Sequence, residues 1–442
     1  MIRYLQDRSV HRNTFALAIP MILSNLTVPI TGLVDTAVIG HLEHPHFLGA
    51  TAIGSLIITM IMWAMGFLRM STTGLTAQAF GSEDGFAMRQ SLFNAVLLAL
   101  MIAIIVLLSQ SLLWQVAIAF MGASPEVTEF ATVYFDIRIW AMPALLLRYV
   151  FVGWLLGMHN AKAPLMILLV SNIINIVLDI LFVVYWDMGV AGAAWASLVA
   201  DYCGLLVGIC AVYFRLKKIP ASYSFVQLIQ RSAITRLLKL NRDIFIRTLA
   251  LESVFYIQTS VGASLGDLIL ASNAVLMNFV MLMAHGLDGF ANAVEALAGK
   301  ALGKARRQEF MSAIAISGFW SLICSLLFTL IYWLLGDMII DGMTNIEEVR
   351  QVAKEYLPYL VFIPLVAVWS YWLDGVFIGI TRMTEMRNSM LFAVIFVFIP
   401  AMFSVKLIGN HGLWLAFYCF MFMRALGLAI YLFRLDKQGR LC

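Results

Sequence analysis

Asn172, Asn175 and Asp179, in the stretch SNIINIVLD, fall at i, i+3 and i+7 and so share one face of a helix. Two amides and a carboxylate on one otherwise apolar face can hold a proton or coordinate a small cation. Asp35, in TGLVDTAVIG, is the one carboxylate of an almost wholly apolar run, and Ser197 adds a hydroxyl to a third. A charge among apolar neighbours costs several kcal/mol unless it is paired or used.

The elements that carry these groups follow from composition. The 442 residues are 62% hydrophobic and 12% charged, with a mean hydropathy of +0.91, which excludes an ordinary soluble domain. Apolar runs of about 20 residues recur along the chain, each long enough to cross roughly 30 Å of hydrocarbon as a helix. Twelve such spans are expected, from residues 14–40 to 411–433, with a first span that follows Arg3, Arg8 and Arg12 as a retained helix. An intramembrane acid is then a functional hypothesis by default.

Basic residues gather in alternate loops: Arg215, Lys217, Lys218, Arg231, Arg236 and Lys239 centrally, then Lys300, Lys304, Arg306 and Arg307, then Arg434, Lys437 and Arg440. This bias puts both termini and the central loop in the cytoplasm. The net charge of +4 thus reports topology, and nucleic acid is not an expected partner. Asp35 lies six residues before His41 and Asp179 eight before Asp187, so each sits about 9–12 Å inside the outer surface. Ser197, counted from Gly189, comes to the same level.

The chain repeats itself with a shift of 222 residues: Tyr134 falls on Tyr356, Gly153 on Gly375, Gly157 on Gly379, and QAFG on KALG. An even number of spans per copy makes the relating axis run along the membrane normal. The same shift puts Val394, Val397 and Ala401 where the first copy has Asn172, Asn175 and Asp179. A purely structural need would more naturally be met in both copies, so the polar cluster is expected to be functional. The paired glycines most simply allow close helix packing.

Other motifs carry less. GKALGK has Ala305 where a phosphate loop needs Ser or Thr, and GASLG sits in an apolar span without the strand and turn that expose a nucleophile. His41, His44 and His46 lack a scaffold for a metal, and the five cysteines suggest neither disulfide framework nor metal site. No cofactor is expected beyond a coupling ion.

The stretches LAIPMILSNLTVPITGLVDTAVIGHL, FLRMSTTGLTAQAFG and SNIINIVLDILFV resemble the multidrug and toxic compound extrusion family, within it the DNA-damage-inducible, DinF-like branch. The resemblance implies an all-α integral membrane fold: twelve transmembrane helices in two six-helix bundles, V-shaped and related by a pseudo-two-fold axis along the membrane normal. The lobes are expected at 1–214 and 241–442, joined by a cytoplasmic loop at 215–240. It implies a monomeric exporter of amphipathic or cationic drugs in the bacterial inner membrane, working against protons or, alternatively, sodium. A lipid-precursor flippase and an intramembrane enzyme are rival classes. Asp35, Asn175, Asp179 and Ser197 match the family's coupling residues, and Thr31, Asn172 and Tyr202 are expected to line the substrate cavity. Pro20 matches the bending proline of the first helix, with Pro29 a second break, because proline removes a backbone donor. Glu252 and Asp374 match acids with which other branches bind a cation in the second lobe, with Asp288 in the same bundle, so the three form a candidate second-lobe cation site; the alternative is a hydrogen-bonded structural pair.

Overall fold

A computed structural model describes residues 2–40, 45–119, 121, 124–219, 225–439 and 441. Among the described residues there are helices and turns but no strands. The long helices are α1 (Arg8–Gly40), α2 (His46–Gly81), α3 (Gly85–Leu108, prolonged by Gln110–Ala119), α4 (Pro125–Gly157), α5 (Lys162–Tyr185) and α6 (Gly189–Leu216). The second half gives α7 (Arg231–Ser264), α8 (Asp267–Gly303), α9 (Arg307–Met343), α10 (Glu347–Gly379), α11 (Met383–Ile408) and α12 (Asn410–Lys437). Among the described residues, α2 to α6 and α8 to α12 are long and apolar enough to cross a membrane. The apolar part of α7 is interrupted by Arg242, Asp243, Arg247 and Glu252.

Local signals set the helix ends. Asp84 accepts from Ala87 N at 3.0 Å at the start of α3 and Ser124 from Val127 N at 3.4 Å at the start of α4, supplying acceptors to the first-turn N–H groups. Gly266, at φ 117° between α7 and α8, holds a conformation that a Cβ would forbid.

The 222-residue register is built into the backbone. Glu83 and Ala305, His159 and Thr381, and Asp187 and Gly409 are three pairs in that register, and all six residues have φ between 52° and 57°. Five of them are not glycine, and each of those five carries a strain of about 1 kcal/mol that the following helix start holds in place. Helix crossings repeat equally closely. A Cβ on Gly153 or Gly157 would come within 3.0 Å of the backbone oxygens of Arg69 and Thr73, and one on Gly375 or Gly379 would do the same at Ala291 and Glu295. Arg69 and Ala291, like Thr73 and Glu295, are 222 residues apart. The glycines let α4 lie on α2, and α10 on α8, at backbone contact.

The described residues form two compact units, Leu23–Leu238 and Met1–Ile22 with Lys239–Cys442. The first turns of α1 belong to the unit that holds Lys239–Cys442. Trp320 Nε1 donates to His11 Nδ1 at 2.9 Å, Phe15 meets the Trp320 ring edge to face at 4.5 Å, and Gly289 leaves room for Ala18 and Ile22. The division of the chain falls two residues beyond Pro20, inside a helix that continues through Pro20 and Pro29.

Candidate functional site

In the unit Leu23–Leu238, α5 turns Asn175 and Asp179 inward, 4% and 0% exposed, with Asn172 half-buried beside them. Asn175 Nδ2 donates to Ser197 Oγ at 3.1 Å, so the sequence-derived cluster is assembled across the α5–α6 interface. Asn175 Oδ1 and Asn172 Nδ2 are buried and have no hydrogen-bond partner among the described residues. A buried polar atom left in that state costs about 1–3 kcal/mol. An amide oxygen and an amide nitrogen on one face are therefore available to a ligand, an ion or water. Immediately after Asp179 the helix widens to a π turn, Ile180–Tyr185, a departure that often accompanies functional sites.

The side chains of Pro29, Thr31 and Asp35 lie outside the described residues, as do His41 and His44; only the helical backbone of α1 is described at the first three positions. Asp35 therefore stays an expectation.

One turn below this cluster is a set of groups that the sequence pattern did not join. Ser171 Oγ donates to Ala200 O at 3.1 Å and accepts from Arg148 Nη1 at 3.3 Å. Arg148 Nη1 donates to Asp201 Oδ1 at 2.9 Å, and Arg138 Nη1 to Asp201 Oδ2 at 2.7 Å. The α5–α6 interface thus carries a ladder from Asp179 through Asn175, Ser197 and Ser171 to an Arg138–Asp201–Arg148 cluster. The signal available in the sequence was two arginines inside one apolar span. Each such charge costs roughly 2.5–3.5 kcal/mol at the bilayer centre and so needs an acid.

The two arginines flank a break in α4, where Ile139–Ala141 forms a 3₁₀ turn ahead of Pro143. Tyr202 OH donates to Trp140 O in that turn at 2.9 Å. Tyr202, expected in the cavity wall, thus also bonds a backbone carbonyl of the broken helix, while its ring stays 39% exposed.

In the other unit, the three acids expected as a cation set have different surroundings. Asp374 is buried and accepts from the guanidinium groups of both Arg247 and Arg424 through Oδ2. Arg424 also lies over the Tyr371 ring, 5.6 Å from its centroid. Asp288 is close enough to act electrostatically on Arg247 and Tyr371. Glu252 Oε1 is buried without a hydrogen-bond partner among the described residues. The carboxylate of Asp374 is thus occupied by cations that belong to the chain itself. Among the described residues no group of three or more His, Cys, Asp or Glu is placed to hold a metal.

Comparison with known proteins agrees with this architecture. A family model described as MatE matches residues 20–181 and 244–403, one stretch in each repeat. The chain is 44% identical over 413 residues to DNA damage-inducible protein F of Escherichia coli strain K12, covering 93% of this chain and 90% of that protein. It is 23% identical over 350 residues to the probable multidrug resistance protein NorM of Bacillus cereus, covering 77% and 76%. A solved outward-facing multidrug resistance MATE family transporter of the MOP superfamily superposes with a TM-score of 0.89 over 99% of this chain and 98% of that one. At 17% identity that likeness is one of fold.

Proposed function

The chain belongs to the MatE family, the multidrug and toxic compound extrusion transporters, on the DinF-like side, and from that premise we propose that it exports amphipathic cationic drugs against protons through the α5–α6 site. Members of the family are transporters and not enzymes, and a drug-efflux role follows the family. The observation that carries the finer reading is the Asn175–Ser197 bond beside the fully buried Asp179. These groups are matched by Val397 and apolar neighbours in the second repeat.

Asp179 is the proton-holding group, with Asp35 as its expected partner across the pocket. Two nearby carboxylates in a poorly hydrated site favour sharing one proton over full ionisation. Asn175 Oδ1 and Asn172 Nδ2 supply an acceptor and a donor to a polar part of the drug, with Thr31 expected on the facing wall. When the acids are charged, the cavity is wet and attracts a cation. Protonation removes the charge, and α1 closes the cavity by bending at Pro20 or Pro29, so that proton and drug favour different states, as linkage requires. We place the protein in the bacterial inner membrane as a monomer with both termini cytoplasmic, in keeping with its basic loops.

The test is dye efflux from sodium-free proteoliposomes under a pH gradient. Efflux should persist without sodium and be lost in Asp179→Asn and Asp35→Asn, with both variants still folded and inserted. Strict dependence on sodium would instead favour a cation held by Asp179 and the free Asn175 Oδ1. Full activity of Asp179→Asn would remove the proposal altogether.

A further inference from the structure

A second set of chemically competent groups lies in the unit Leu23–Leu238, between α4 and the prolongation of α3. Gln110, Ser111, Trp114 and Gln115, on the prolongation of α3, and Asp136 and Trp140, on α4, line one cavity of about 370 Å³. The carboxylate of Asp136 is exposed to that cavity. Among the described residues, Gln110, Ser111, Gln115 and Asp136 make no side-chain hydrogen bond or ion pair, whereas the neighbouring Arg138 turns to Asp201.

Depth makes these exposed groups informative. Asp136 lies eleven residues into α4, a helix of 33 residues, so it is about 16 Å from one end of a rod about 50 Å long. With the helix centred on roughly 30 Å of hydrocarbon, the carboxylate falls about 6 Å inside the apolar layer. A lipid-facing charge there is expensive, and no described residue forms an ion pair with it. The two indoles are held in place: Trp114 packs on Phe135, with ring centroids 5.0 Å apart, and the backbone of Trp140 is fixed by Tyr202. The second repeat has Gly336, Pro358 and Phe362 where the first has Trp114, Asp136 and Trp140, so the arrangement is not a requirement of the fold.

A carboxylate sharing one cavity with two indoles, two amides and a hydroxyl is the chemistry that binds substituted ammonium and other delocalised organic cations. We propose that this cavity is a membrane-accessible binding site for an organic cation, separate from the Asp179 site. Two sources share that chemistry: a cationic drug partitioned into the bilayer, or the amine headgroup of a lipid. The site requires only that α4 spans the membrane and does not depend on proton coupling.

The test uses the full chain in dodecyl maltoside, which offers no cationic headgroup, and measures binding of tetraphenylphosphonium by equilibrium dialysis against protein-free micelles. The measurement is made in an Asp179→Asn background, so that failure of the exporter reading and failure of this one are separable. Asp136→Asn and Trp140→Ala should each weaken the remaining binding about tenfold or more, Asp136→Glu should restore it, and melting temperatures should not change. Tetraphenylborate, of the same shape and opposite charge, should not bind. Competition by phosphatidylethanolamine, if seen, assigns the headgroup as the resident ligand; its absence assigns the drug. Equal binding of tetraphenylborate, or unchanged binding in Asp136→Asn, overturns the proposal.

Discussion

Arg148 Nη1 and Asp201 Oδ1, 2.9 Å apart, join α4 to α6, and the equivalent pair of helices in the second repeat, α10 and α12, is joined by Asp374 and Arg424 with the charges exchanged. The same mechanical need, to fix one broken or proline-bearing helix to its neighbour, is met by opposite polarity. Arg148→Ala should therefore lower stability in detergent by roughly 3 kcal/mol, because it strands part of a buried charge. The exchange Arg148→Asp with Asp201→Arg, which copies the polarity of the other half, should recover part of that loss. Thermal melting of the single and double variants decides it: no recovery would show that Arg138 alone sets the sign of the cluster.

The occupied carboxylate of Asp374 gives a second expectation. With two guanidinium groups already on it, sodium should leave the melting temperature of the wild-type protein unchanged through this site. Arg424→Gln should cost stability and open Asp374 to a cation, making the variant measurably more stable in sodium than in choline. A sodium-stabilised wild type that loses the effect in Asp374→Asn would contradict this assignment.

Ser197 tests the upper rung of the ladder. Ser197→Ala deprives Asn175 Nδ2 of its acceptor at 3.1 Å, leaving both ends of a buried amide unpaired at a cost of about 1–3 kcal/mol. Dye efflux should fall severalfold. Ser197→Thr keeps the hydroxyl and should stay close to wild type, a contrast that mere loss of volume cannot produce.

At the glycine crossings the neighbours are backbone atoms, which cannot move aside as a side chain can. Gly153→Val and Gly375→Val should each cost more than the 1–3 kcal/mol typical of overpacking and largely abolish the folded protein, measured by size-exclusion fluorescence. Gly342→Ala, where a Cβ meets nothing within 4 Å, should be silent.

Asp7, ahead of α1, accepts from Ser9 Oγ at 2.7 Å and from the Ser9 and Val10 N–H groups. Chiefly through the Ser9 hydroxyl, its carboxyl is held below the usual value of 3.8. A lowered folded-state pKa means that the cap's contribution is present above 3.8 and is lost as pH falls through the lower folded value. Melting temperature followed from pH 5 to pH 2 should show a small drop that Asp7→Ala removes.

The sequence by itself determined the helices, their apolar lengths, the 222-residue repeat and the one-sided polar cluster. Those features depend on composition and on periodicity within a turn or two, which are local. The repeat extends to the left-handed turns at Glu83 and Ala305 and to the carbonyls under Gly153 and Gly375, because equivalent glycines demand equivalent crossings. Tertiary structure alone decided which charges meet. Asp201 takes arginines 63 and 53 residues away, and Asp374 takes partners 127 and 50 away. No spacing rule connects residues so far apart on different helices. The pairing is settled only when the helices pack and each buried charge must find the nearest opposite one. For the same reason α1 is divided between two units: hydropathy sees one uninterrupted span, while Phe15 and His11 are committed to the Trp320 side by shape and hydrogen bonding.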